Sequence, residues 1–298
     1  MKTFYSELSH NAGYYSFGYS IYGRVEAGDN LSDIYEAGFQ PCVVVQGEKD
    51  LVYMARGSRV RVGDFVELHE HKRIAKKFDE IPSPVEVISH KKEDFKITDE
   101  FVDFCLKYFH FRHGAKSMPK ERFLEIMHSS FLTHIIEYKI SGKTAAYMLE
   151  VHTDKYFHFW YLAYAKDYNN KNLGAYMVLD LVRRAKKEGV SYAHLGATYG
   201  ECVRYKTKYQ PLEYWDGEAW VKDEKSKGLK NILKVDGLRM VAVTDNWRSD
   251  KNNFYSPGYT YTDNKGFMRV MYALERMNPK YFMIFAVMLF AFAYLFLR

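Results

Sequence analysis

Apolar and polar positions alternate through three closely spaced runs, Thr133–Ile140, Thr144–His152 and Tyr156–Tyr164. Ser-Gly-Lys at 141–143 and Thr-Asp-Lys at 153–155 separate them as short turns, so the pattern predicts an antiparallel meander. After the polar stretch YNNKNLG the period changes. Gly174, Met177, Val178, Leu181, Val182 and Ala185 fall at helical spacing. Arg183, Arg184, Lys186 and Lys187 take the opposite face near the helix's negative end, and Gly189 is placed to cap it. Ser191–Leu195 predicts one further strand. Upstream, Thr98 opens a helix with Phe101, Cys105 and Tyr108 on one face. Lys120–His128 predicts a second helix beginning at Pro119. Residues 1–80 read as a small β-rich unit with strand-like runs at Val43–Val45, Leu51–Met54 and Arg59–Val66 and a turn at 47–50. The stretch 79–94, with Pro82 and Pro84, reads as a linker. The expected organisation is a β-rich unit over 1–80, a main domain over 95–224, a polar spacer over 225–280 and an apolar tail over 281–297.

Tyr281 to Leu297 runs without a charged residue. As a helix it spans about 25 Å, at the short end of what crosses a bilayer. Arg276, Lys280 and Arg298 flank it, where long basic side chains reach headgroups. The expectation is a C-terminal membrane anchor with the globular part on the cytoplasmic side; a buried C-terminal helix is the plainer alternative. No signal peptide is read in residues 1–22. With 47% apolar and 27% charged residues the chain is not of the disordered class. Its net charge of +6 is compatible with an RNA partner without requiring one. The three cysteines, Cys42, Cys105 and Cys202, lie far apart, which argues against a disulfide framework or a cysteine-built metal site. His69 and His71 are spaced HxH with no further ligand nearby in sequence, so no metal and no cofactor are expected.

The order strand-strand-strand-loop-helix-strand resembles the acyl-CoA N-acyltransferase (GNAT) fold, an α+β architecture in which a helix start points into a gap between parted strands. Two stretches are more specific. One is Tyr108-Phe-His-Phe-Arg112-His113, followed by Met118. The other is Leu195-Gly196, then Arg204-Tyr205-Lys206-Thr-Lys208-Tyr209-Gln-Pro211-Leu-Glu213, then Trp220. Together they resemble the arginyl-tRNA–protein transferases and their bacterial leucyl-adding relatives. Tyr161 to Asp167 with Leu173-Gly174, Tyr35 to Phe39, and Arg59 to Phe65 with Lys72-Arg73 are similar to further segments of that family. The resemblance spans residues 10 to 222. It departs from the family in lacking the N-terminal cysteine cluster and in carrying Gln40-Pro41-Cys42 where the family has Arg-Arg-Ser. The stretch between Gly196 and Tyr205 is shorter, and Cys202 stands where a lysine is usual.

The resemblance implies transfer of arginine or leucine from a charged tRNA to the N-terminal amine of an acceptor protein. It implies that Arg112, His113, Leu173, Gly174, Tyr199, Arg204, Tyr205, Lys206 and Tyr209 serve the tRNA 3′ end and the acceptor. Arg59, Arg61 and Arg73 are candidates for reading the acceptor's N-terminal residue. Arg204, Lys206 and Lys208 also alternate as the solvated face of a strand does, and any one tyrosine in so tyrosine-rich a chain is as readily a packing residue. Three other functions stay open on the residues: an acetyl-CoA-dependent acyltransferase, a tRNA-dependent transferase acting on a lipid or small amine, and a non-catalytic binding homologue. The loop before Gly174 puts Lys171 and Tyr176 at two positions of the CoA-binding signature where other residues are required.

Overall fold

Alternation along the predicted meander puts successive side chains on opposite faces of one sheet, and each face is covered by helices. In the computed structural model, which describes residues 1–5, 21–42, 50–80, 84–113, 118–169, 171–199, 201–224 and 228–236, β7 (His134–Ile140), β8 (Lys143–His152) and β9 (Tyr156–Tyr164) are antiparallel neighbours. Ile136, Tyr138, Met148, Phe157 and Phe159 face one layer. That layer contains α5 (Leu173–Lys187) and α2 (His69–Asp79). Ile135, Leu149 and Ala163 face the other, made by α3 (Asp99–His113) and α4 (Lys120–His128). Of the predicted apolar stripe of α5, Met177, Val178, Leu181, Val182 and Ala185 are buried and Gly174 is partly exposed, with Leu173 buried ahead of it.

The chain from 57 onward builds the rest of the sheet. β5 (Gly57–Arg61), β6 (Glu86–Lys91), β10 (Tyr192–Ala197), β11 (Leu212–Trp215) and β12 (Trp220–Lys222) complete eight strands in the order β12-β11-β5-β10-β9-β8-β7-β6. A second sheet, β1-β2-β4-β3, joins β1 (Lys2–Tyr5), β2 (Ile21–Arg24), β4 (Leu51–Met54) and β3 (Phe39–Pro41). α1 (Leu31–Glu36) packs beside it. The described chain ends in α6 (Gly228–Asp236). The architecture is a mixed α/β fold.

Three sequence expectations meet different outcomes here. The stretch 79–94 contains β6, an edge strand whose mostly exposed, charged positions hide its alternation. The boundary expected near residue 80 crosses shared structure, because β5 lies between β10 and β11 and α2 packs on the helical layer of the main sheet. The apolar tail 281–297, most of the spacer 225–280, and the strand-like run Val43–Val45 lie outside the described residues. Among the described residues no helix is long and apolar enough to cross a membrane.

Candidate active site

The site begins where two parallel strands part. β9 and β10 pair only at Tyr156–Tyr192, Phe157–Ala193 and His158–His194. Beyond that point β9 stays bonded to β8 as far as Tyr164. β10 stays with β5, with a register shift between His194 and Ala197. The β8–β9 ladder also shifts register after Phe159, which bends β9 at the point of separation. The start of α5 lies against the end of β9: a Cβ on Gly174 would stand 3.2 Å from the Tyr164 ring. Tyr164 packs on Tyr108 of α3 at 4.6 Å between ring centroids. Burial raises the pKa of Tyr108 most, and Tyr164, Arg112 and Tyr205 all lie within electrostatic reach of its hydroxyl. Arg112, Gly174 and Tyr205 are thus gathered around one pair of tyrosines.

Beside the first turn of α5 is a cavity of about 130 Å³ lined by Glu70, His71, Arg73, Asn172, Tyr205 and Lys208, among others. Asn172 adopts a left-handed backbone and makes no side-chain capping bond, so the first-turn amides of α5 have no side-chain cap there. His71 is 2% exposed and packs between Phe65 and Tyr209. Its Nδ1 accepts the Leu68 N–H at 3.1 Å, which puts the ring proton on Nε2, on the side of the Lys208 backbone. Burial lowers the His71 pKa, outweighing the opposite pull of Glu67 and Glu70. Arg73 is exposed at the cavity, and Lys208 pairs with Glu70. The balance of one acid and two bases, beside the positive end of a 15-residue helix, suits a single negative charge.

The remaining sequence-predicted residues are distributed unevenly. Arg112 is exposed on the last turn of α3, and the His113 ring lies on Phe109. Leu173 is core. Tyr199 accepts the Arg56 N–H at 2.7 Å and lies under the Arg56 guanidinium. Arg204 and Lys208 are exposed but Lys206 points inward and is 4% exposed. The alternation expected of a solvated strand is absent because Glu201–Lys208 is a 3-10 helix. Lys206 therefore does not reach a phosphate at the surface. Tyr209 is not free to stack on a base either, since its ring lies on His71 and its hydroxyl donates to the Ala175 carbonyl at 2.8 Å. Arg59 is a correction of the same kind. It is 5% exposed, bonded to Glu213 at 2.8 Å and Glu36 at 2.9 Å, and stacked on Tyr192 and Trp220, so it holds the fold and cannot read an acceptor. Arg61 is half-exposed and shares Glu213 at 2.7 Å, leaving Arg73 as the member of that trio on the cavity. His69 is exposed while His71 is buried, because neighbours two apart on a helix diverge. Among the described residues no group of three or more His, Cys, Asp or Glu could hold a metal ion.

A mixed α/β sheet with one pair of parallel strands forced apart beneath a helix start defines the class of architecture to which this site belongs. Residues 100–216 match the family model described as arginine-tRNA-protein transferase, C terminus. The aspartate/glutamate leucyltransferase of Maricaulis maris is 30% identical over 131 residues, covering 41% of this chain and 51% of that protein. The enzyme of the same name from Methylorubrum extorquens is 27% identical over 184 residues, covering 56% and 71%. The match to the Maricaulis protein spans about half of that relative's length. Solved structures with a similar course include L-PGS from Bacillus licheniformis, 12% identical with a TM-score of 0.38 over 56% of this chain and 58% of that one. The ribosomal-protein-S18-alanine N-acetyltransferase of Escherichia coli is 15% identical with a TM-score of 0.27 over 35% and 63%. Over these stretches the chain is similar to the arginyl- and leucyl-tRNA–protein transferases.

Proposed function

We propose that the chain is an aminoacyl-tRNA–protein transferase built on a GNAT-like fold, moving leucine or arginine from charged tRNA to the N-terminal amine of an acceptor. The observation that carries this reading is the parting of β9 and β10 beside the start of α5, with Arg112, Gly174 and Tyr205 gathered there. The donor is an ester, already activated. The acceptor α-amine titrates near pH 8, so a useful fraction is neutral at pH 7 without a strong base. Alignment and electrostatic stabilisation then supply the acceleration. Arg112 and Tyr205 meet the tRNA 3′ end. The cavity beside α5 takes the acceptor's first side chain, with Arg73 on its wall facing an Asp or Glu carboxylate. The relatives' name, aspartate/glutamate leucyltransferase, fits that charge preference.

The test is incubation of the full chain with leucyl-tRNA or arginyl-tRNA and peptides beginning in Asp, Glu or Ala. Mass gain at the N-terminus of the acidic peptides only is the expected result. Acetylation from acetyl-CoA with no incorporation from either tRNA overturns the reading. The charge-free run 281–297 favours a second reading, in which the acceptor is a lipid amine or hydroxyl at a membrane that this run anchors. Incorporation only in the presence of vesicles selects it, and release of the full chain by carbonate washing removes the anchor.

A further inference from the structure

Three residues beyond Tyr108 on α3, a neighbour along the helix surface, stands Phe111. Tyr108 is buried and packs on Tyr164, whereas Phe111 is 46% exposed. The chain leaving Tyr164 runs outward with it. Lys166, in the 3-10 turn Lys166–Tyr168, holds its ammonium over the Phe111 ring, 5.1 Å from the centroid. Lys171 repeats the arrangement over Tyr168 at 5.2 Å. The contact between α3 and the end of β9 thus passes from a buried tyrosine pair to an exposed phenylalanine carrying a cation, just ahead of the first turn of α5.

A lone exposed apolar side chain is ordinary on a protein surface. Phe111 differs in what surrounds it. Lys107, four residues back on α3, Arg112 beside it and Lys166 across from it are all exposed. Among the described residues none of the three is in an ion pair. Asp167 is the acid of the 3-10 turn, set against Lys166 and Lys171. Val66 and Leu68, also large, apolar and exposed, are aliphatic and flank Glu67, an acid held by Arg183. A flat ring framed by cations suits a ligand that alternates flat faces with negative charges, which is what an unpaired polynucleotide does. An acidic peptide would use the cations but not the ring. A membrane would call for a contiguous apolar patch, which one ring does not supply.

We propose that Phe111 is a base-stacking residue for the unpaired 3′ strand of tRNA. A base of that strand lies on the ring, Lys107, Arg112 and Lys166 meet the phosphates on either side, and the strand is led past Tyr164 toward the start of α5. The inference rests on the transferase reading above and adds to it the path by which the RNA end enters. Stacking is tolerant of base identity, so this contact accepts tRNAs of different sequence alike.

The full-length chain is tested by filter binding, across a salt series, with tRNA bearing an intact 3′ end and with the same tRNA trimmed of its unpaired 3′ nucleotides. The wild type should hold the intact RNA more tightly. Phe111→Ala should weaken binding of the intact RNA by about fivefold or more, leave the slope of log affinity against log salt unchanged, and leave the trimmed RNA unaffected. Phe111→Trp restores a flat ring and should recover the loss. Lys166→Gln should instead reduce the magnitude of the slope by about 0.7. Phe111→Leu, apolar without a flat ring, serves if Phe111→Ala fails to fold by circular dichroism. A folded Phe111→Ala that binds the intact RNA as the wild type does, or loses affinity equally for both RNAs, overturns the stacking assignment. Loss of binding to phosphatidylglycerol vesicles with RNA binding unchanged overturns it too. In each case a wild type that still transfers from leucyl-tRNA or arginyl-tRNA leaves the transferase reading standing. A wild type that tells the two RNAs apart through Phe111 but transfers from neither charged tRNA keeps the stacking residue and overturns that reading.

Discussion

Removing Arg59 would leave the buried Glu213 with the half-exposed Arg61 alone. The guanidinium is the buried hub that joins Glu213, Glu36 and Tyr156, and Glu213 is itself almost fully buried. Breaking a buried pair outright costs about 3–5 kcal/mol, and the Arg61 contact to Glu213 offsets part of that here. Arg59→Met should therefore lower the thermal midpoint steeply, whereas Arg73→Met should leave it nearly unchanged and weaken the preference for acidic acceptors. Equal effects from the two would put Arg59 back among the recognition residues. A second residue-scale consequence concerns pH. Burial and the neighbouring His152 hold the His134 pKa at about 4, and burial holds His158 at about 3. Burial pushes Glu150 up, but Arg184 and His152 more than offset it and hold it at about 2. All three groups take up protons more readily in the unfolded chain, near 6.5 for the histidines and 4.5 for the carboxyl. Their contribution is complete above pH about 6.5 and is lost as pH falls, first through the histidines and then through Glu150. The thermal midpoint should decline steadily from pH 7 to pH 4; a flat profile over that window would contradict the buried, neutral state of these rings. None of this was visible in the chain itself. A histidine in a strand reads the same whether it faces water or, as His158 does, the Tyr35 hydroxyl, and Lys206 was indistinguishable from Arg204 and Lys208 until the 3-10 helix turned it inward.

At the scale of elements, α5 and β9 meet through one glycine. Gly174 sits in the first turn of a helix, where alanine is favoured by about 1 kcal/mol. Against this, the added methyl would press on Tyr164 at 3.2 Å, and Tyr164 is backed by Tyr108. The two effects oppose each other, so Gly174→Ala should change stability by less than about 1 kcal/mol. It should still depress transfer, because the ring that yields stands in the opening. Calorimetry beside a transfer assay checks this, and a fully active Gly174→Ala would show that Tyr164 moves without consequence. The elements legible in the sequence are those whose alternation is driven by two-sided burial. The meander runs over His134–Ile140, Lys143–His152 and Tyr156–Tyr164 within a residue of expectation, and α5 begins one residue before Gly174. The elements missed are those that bury little or whose partners are distant. β6 is a charged edge, and the apolar stripe of α2, Ile74, Ala75 and Phe78, is short and interrupted by lysines. The run Arg59–Val66 predicts a strand, but the strand is Gly57–Arg61 and Val62–Asp64 turns into a 3-10 helix; its insertion between β10 and β11 depends on residues 192–214, which no local pattern encodes.

For the whole molecule, the excess of positive charge acquires a direction once the fold is known. Arg112 at the end of α3, Arg73 at the cavity and Lys171 before α5 are exposed around the same opening. On the α2 side of that opening Glu70 is paired with Lys208, and Glu67 and Asp79 with Arg183. A polyanion approaching this side therefore meets basic groups whose counter-charges are engaged elsewhere. Binding of charged tRNA should then fall linearly in a plot of log affinity against log salt, since each phosphate neutralised releases condensed counterions. Replacing one phosphate-contacting residue reduces the magnitude of that slope by about 0.7 on single-stranded RNA. Arg112→Gln is expected to show that reduction together with weaker binding at low salt, and the two curves should converge as salt rises. Lys206→Met should leave the slope unchanged, because a buried ammonium releases no counterion on binding. If Lys206→Met flattens the slope and Arg112→Gln does not, the RNA end enters deeper than the opening between the strands, and the placement of the RNA contacts at its rim would have to be withdrawn.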